Sequence, residues 1–166
     1  MEQPPAARRG FDLSRLTMGS KALLASGLVL FVALFLPWRT VKGCEATEAI
    51  VGDLPCSESG FAGLGVLVAI LVIGLLVWEG VLAAGVAPNV GTASPALVSA
   101  GIGAAAALFG LIKFLMSLGG GPIDAFSVAW GAFVGLLAAV ALGYASYLRY
   151  RESRAGAPPR GSPGRR

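Results

Sequence analysis

The chain has 166 residues, 55% of them hydrophobic and 13% charged, with a mean hydropathy of +0.75, a balance outside that of water-soluble domains. Its length suits one domain. Its net charge of +4 comes from Arg and Lys gathered in the two terminal segments and not interleaved with aromatics, which argues against a nucleic-acid partner; with no His, and only Cys44 and Cys56 as thiols, zinc, haem and imidazole chemistry lack their usual groups.

Four apolar stretches follow one another, and they predict helices at about 21–38, 61–85, 96–118 and 127–148. Each is long enough to cross a hydrocarbon core some 30 Å thick at about 1.5 Å per residue. None carries a polar stripe, and none alternates with period two, so lipid-surrounded helices fit and a barrel does not. The expected fold is all-α: a polytopic four-helix membrane bundle preceded by a segment at 1–20 and followed by a basic tail at 149–166. That tail is rich in Pro, Gly, Ser and Arg and is expected to be disordered.

The first apolar run has a basic segment before it, as export signals do. It ends in Leu36-Pro37-Trp38-Arg39 without a small-x-small cleavage site, so a retained helix is expected. Val41-Lys42-Gly43-Cys44 matches a lipoprotein box only loosely, and Arg8-Arg9-Gly10-Phe11 departs from a twin-arginine signal in the residues that follow.

Arg8, Arg9, Arg15 and Lys21 precede the first helix, while Arg149, Arg151, Arg154, Arg160, Arg165 and Arg166 follow the last. Cytoplasmic flanks concentrate such residues, so both termini are expected inside a cell membrane crossed several times. The connection at 39–60 holds only Arg39 and Lys42 against Glu45, Glu48, Asp53 and Glu58, which suits the outer side. The uncharged connection Pro88 to Pro95 favours neither side. Trp38, Phe61, Phe114, Phe126 and Trp130 fall near the expected outer ends, and Trp78, Tyr144, Tyr147 and Tyr150 near the inner ones. They read either as interfacial belts or as rings packed between helices.

Cys44 and Cys56 share the outer loop, where a structural disulfide closing about 13 residues would stabilise the loop by roughly 3 kcal/mol. A redox-active pair is the alternative, and the tight C-x-x-C of such enzymes is absent. Glu79 and Lys113 are the ionisable residues within the spans and so are functional candidates. Chain direction puts them on the order of 20 Å apart in depth, each expected to snorkel to its nearer interface, with Lys21 or Arg149 level with Glu79. Gly131, Gly135, Ala139 and Gly143 on the fourth helix, and Ser99, Gly103 and Ala107 on the third, recur every fourth residue; small faces of this kind allow close backbone approach, and the two are expected to meet. Gly119-Gly120-Gly121-Pro122 lacks the Lys and Ser/Thr of a phosphate loop and reads as a connector.

Leu36-Pro37-Trp38-Arg39 followed by Cys44 and Cys56 resembles the first extracellular loop of claudin-type four-helix proteins, over about a fifth of the chain. The Gly-Leu-Trp element of that family is absent, and the loop is expected to be too short for its extracellular sheet. Ala, Gly, Val and Arg usage resembles that of small four-helix membrane proteins of high-GC bacteria. The expected role is a non-enzymatic structural or accessory subunit acting through helix packing and a pinned outer loop. It would need no cofactor or metal, and its partners would be the bilayer and a membrane protein or further copies of itself. Glu45, Glu48, Asp53 and Glu58 are the recognition candidates, because long connections on a rigid scaffold often carry binding. The alternatives are a small oligomeric transporter or channel using Glu79 and Lys113, and a thiol-redox enzyme.

Overall fold

The computed structural model describes residues 16–42, 56–86, 94–119 and 126–155. Four helices carry most of them: α1 Met18–Ala33, α2 Leu64–Ala83, α3 Pro95–Leu118 and α4 Trp130–Ala155. Three short strands, β1 Pro37–Val41, β2 Ser57–Ser59 and β3 Phe126–Val128, lie between them. With 20, 24 and 26 residues, α2, α3 and α4 are long and apolar enough to cross a membrane. The 16 residues of α1 are apolar but fewer, spanning about 24 Å at the helical rise.

Helix α1 ends earlier than the expected 38 because Pro37 denies the preceding residue a helical conformation. Leu34 to Leu36 form a turn, with Leu36 N donating to Ala33 O at 3.2 Å. At its start Thr17 caps the helix by accepting from Ser20 N at 3.3 Å. Ser94 does the same for α3, accepting from Leu97 N at 3.2 Å, with Pro95 in the first turn, where a missing N–H costs nothing. Helix α4 continues past the end of its apolar run at Leu148, through residues first expected in the tail. Arg149 meets Glu152 three residues on at 3.2 Å, and Arg151 and Arg154 lie over the rings of Tyr147 and Tyr150. Such spacings put the partners on one helix face. The rest of the expected tail lies outside the described residues.

Helix α4 packs on α1 and α3, and α2 packs on the same two. Directions alternate: β1 follows α1, β2 precedes α2, β3 precedes α4, and Gly119 at the end of α3 accepts from Arg39 Nη2 at 3.1 Å. One end of the bundle therefore carries the strands, and the other carries the ends of α2 and α4. The interior is closed by Leu23, Leu30, Val72, Leu75 and Leu142, all fully buried. Ile70, Val77, Leu115 and Leu137 stand 60%, 61%, 62% and 70% exposed around the outside, an apolar girdle that water would disfavour and lipid would not.

The expectation of an all-α fold needs correction, because the strands form one antiparallel sheet in the order β2-β1-β3. Its registers pair Arg39 with Glu58 and Val128, and Thr40 with Ser57 and Ser127. Side chains reinforce it: the Thr40 and Ser127 hydroxyls lie 2.7 Å apart. The loop between α1 and α2 is thus long enough for two strands, and the third comes from the connection before α4. Between Pro37 and Arg39 the register shifts, so Trp38 is the extra residue of a bulge, a device that re-aims a side chain.

Candidate functional site

Trp38 is turned by that bulge into the bundle and is 1% exposed, not a ring at an interface. Its Nε1 donates to Ala33 O at 2.8 Å, using a carbonyl from the last turn of α1. The indole needs room that only missing side chains supply. A Cβ on Gly135 would overlap the ring, one on Gly60 would overlap Nε1, and one on Gly131 would overlap Pro37 O. This corrects part of the expected packing: Gly131 and Gly135 receive Trp38 of β1 and the turn before it, not α3.

The remainder of the small-residue stripe does face α3. A Cβ on Gly110 would come within 3.1 Å of the Ala139 methyl, and one on Gly143 within 3.6 Å of the Ala107 methyl. Gly103 accommodates Ser146 and, from across the bundle, Leu23. Ser99 is buried and returns its hydroxyl to Pro95 O at 3.1 Å; Ser146 does so to Leu142 O at 2.8 Å. Hydroxyls satisfied on their own helix allow close approach without leaving a free polar group.

Glu79 and Lys113 sit at opposite ends of the bundle, and both are buried. Glu79 is 0% exposed, and its Oε1 lies 3.7 Å from Nε of Arg149, whose own side chain is 11% exposed. Of the two inner-level cations the sequence offered, Arg149 is the one beside it. Among the described residues neither Glu79 oxygen accepts a hydrogen bond, and the contact with Arg149 is one of opposite charges. Arg149 Nη1 turns away to Thr17 Oγ1 at 2.8 Å and Glu152 Oε2 at 3.2 Å. Glu152 in turn accepts from Thr17 Oγ1 at 2.7 Å and from Gly19 N at 2.9 Å. A carboxylate on the first turn of α1 satisfies an orphan N–H and the positive end of the helix dipole. This cluster ties α1, α2 and α4 together. Glu152 and Thr17 were not singled out in the sequence, although the Arg149–Glu152 spacing hinted at one contact.

Lys113, 7% exposed, reaches from α3 to the turn before α2. Its Nζ donates to Ala62 O at 2.8 Å and lies 3.7 Å from Glu58 Oε1. Glu58, on β2, is therefore partly engaged in holding the sheet end together. Each of the two ionisable residues thus has an oppositely charged side chain of another element 3.7 Å away.

Glu45, Glu48, Asp53 and Cys44 lie outside the described residues. Cys56 is the one cysteine among the described residues, and it is not free; its carbonyl accepts from Val41 N at 2.9 Å, prolonging the β1–β2 ladder. Among the described residues no three His, Cys, Asp or Glu side chains cluster as metal ligands would. No protein family, curated protein or solved structure matches the chain.

Proposed function

We propose that the chain is a non-enzymatic, multi-pass membrane protein with both termini in the cytoplasm, a structural or accessory subunit that presents a fixed outer platform to a membrane-protein partner. The observation that carries this reading is the seating of Trp38. A short sheet made from two separate connections would be marginal alone, but the indole locks its central strand into the bundle. A platform ordered before contact loses little freedom on binding. Its outer strands β2 and β3 are edges, with Ser57 and Ser59 exposed, and edge strands readily pair with another chain.

A Cys44–Cys56 disulfide completes this proposal. Cys56 is not a free thiol, and Cys44 is the other cysteine of the chain, three residues beyond the Val41 that pairs with Cys56. Glu45, Glu48, Asp53 and Glu58 supply the charge of the recognition surface, and α1 crosses together with the turn after it. The transporter alternative loses support from the separation of Glu79 and Lys113 by packed Leu and Val, and from the engagement of each by a protein partner.

The test is recovery of a co-purifying partner in mild detergent by the unaltered chain, by a Cys44→Ser, Cys56→Ser variant, and by a variant with the four acids neutralised. The same partner should be lost from at least one variant at equal membrane insertion. Normal recovery by both would overturn the proposal. A flux abolished by Glu79→Gln would favour the transporter instead.

A further inference from the structure

We propose that the groove between the first half of α3 and the second half of α4 binds one anionic phospholipid, with an acyl chain along the groove and the phosphate at Arg151 and Arg154. The groove encloses about 430 Å³ and is walled by small and apolar residues, among them Leu97, Gly101, Ala104 and Gly143, with Tyr147 and Tyr150 at one end. Nothing lies within 4 Å of where a Gly101 side chain would begin, so the space is open from the outside. Both walls are helices long and apolar enough to cross a membrane, and an acyl chain is the solvent such a wall meets there.

The charge lies where a headgroup would need it. The Arg151 guanidinium carbon is 5.9 Å from the centre of the Tyr147 ring, and that of Arg154 is 5.0 Å from the centre of Tyr150. Stacking of this kind holds a guanidinium in place while leaving its N–H edge open to an anion. Neither arginine forms a salt bridge with a described carboxylate; Glu152, between them in sequence, is taken by Arg149, Thr17 and Gly19. Residues 143, 147, 150 and 154 recur on one side of α4, so the apolar wall leads directly to Arg154, and Arg151 flanks it, stacked on Tyr147 at the border of the neighbouring recess. From Gly143 to Arg154 the helix rises about 16 Å, a length suited to a phosphate and the upper part of one chain. A second copy packed twofold along this face would bring like guanidiniums together, and a spanning helix needs a groove about 30 Å long.

The experiment uses the full chain purified in detergent and titrated with phosphatidylglycerol, phosphatidylcholine or inorganic phosphate, reading bound lipid by native mass spectrometry. Phosphatidylglycerol should be retained in preference to phosphatidylcholine, and inorganic phosphate should not displace it. An Arg151→Gln, Arg154→Gln variant should lose roughly thirtyfold in affinity for it, on the usual contribution of two surface cations to anionic-lipid binding. Gly101→Leu should fill the groove and lose the lipid with no fall in melting temperature, because it touches no core atom. Equal retention of the two lipids would overturn the proposal. So would unchanged binding by the arginine variant, which alters exposed residues and does not depend on how Gly101→Leu folds, displacement by phosphate alone, or a dimer seated in the groove without lipid.

Discussion

The ring of Trp38 occupies the space in which a side chain on Gly135 would stand. This seats a residue of β1 directly against the backbone of α4 and makes the sheet part of the bundle. Leu at position 135 is expected to expel the indole, costing about 1–3 kcal/mol as overpacking does. Trp38→Ala should cost about 3–5 kcal/mol, as other large aromatic truncations do. The two losses should fall well short of additive in the double variant, since the first already empties the seat. Melting in detergent measures all three. Gly74→Leu serves as control, with nothing within 4 Å of its new Cβ.

Much of the fold was legible in the sequence, and the gaps have identifiable causes. Whereas the ends set by Thr17, Pro37 and Ser94 were not read from it, the four apolar runs carry strong local signals, because helix formation depends on neighbours three and four residues away. The sheet does not. Its strands have three to five residues, too few for alternation to show, and Arg39 pairs with Val128, far along the chain. For Trp38 the sequence left an interfacial ring and a packed one both open, because its position beside Pro37 says nothing about the glycines on α4 that receive it. The opposite depths of Glu79 and Lys113 followed from span lengths and direction. Their burial did not, since it depends on Arg149 and on the Ala62 carbonyl, contributed by other elements.

Arg149 faces a carboxylate with no hydrogen bond of its own. Replacing it with Leu leaves that charge buried and uncompensated, an error that costs about 3–5 kcal/mol. Glu79→Leu added to Arg149→Leu should recover part of the loss, because a well-packed apolar pair can substitute for a buried ion pair. Recovery is incomplete because Arg149 also serves Thr17 and Glu152. Chemical denaturation in detergent micelles measures the cycle; a double variant less stable than Arg149→Leu alone would contradict it.

Glu152 closes the first turn of α1 from another helix. Glu152→Gln and Thr17→Ala should each cost about 1 kcal/mol, the usual scale of a lost cap. Together they should cost less than the sum, because the two side chains share a hydrogen bond. Hydrogen exchange should accelerate at Gly19 and Ser20 before any change at Leu30. Uniform acceleration along α1 would show that the cluster does not act as a local cap.

The Arg and Lys distribution and the even number of helices predict one orientation. Reporter domains fused before Thr17 and after Ala155 should both report from the cytoplasm, and one inserted between Cys44 and Cys56 should report from outside. An extracytoplasmic signal from the fusion after Ala155 would reverse the proposed topology.

The most direct test of the proposed platform is photocrosslinking in intact membranes from Ser57, exposed on the outer strand β2, compared with Ile70 on the apolar girdle. A fixed recognition surface predicts a discrete protein adduct from Ser57 that is absent from Ile70 and disappears in the Trp38→Ala background at equal protein level. No adduct from Ser57, or the same adduct from both positions, would contradict it.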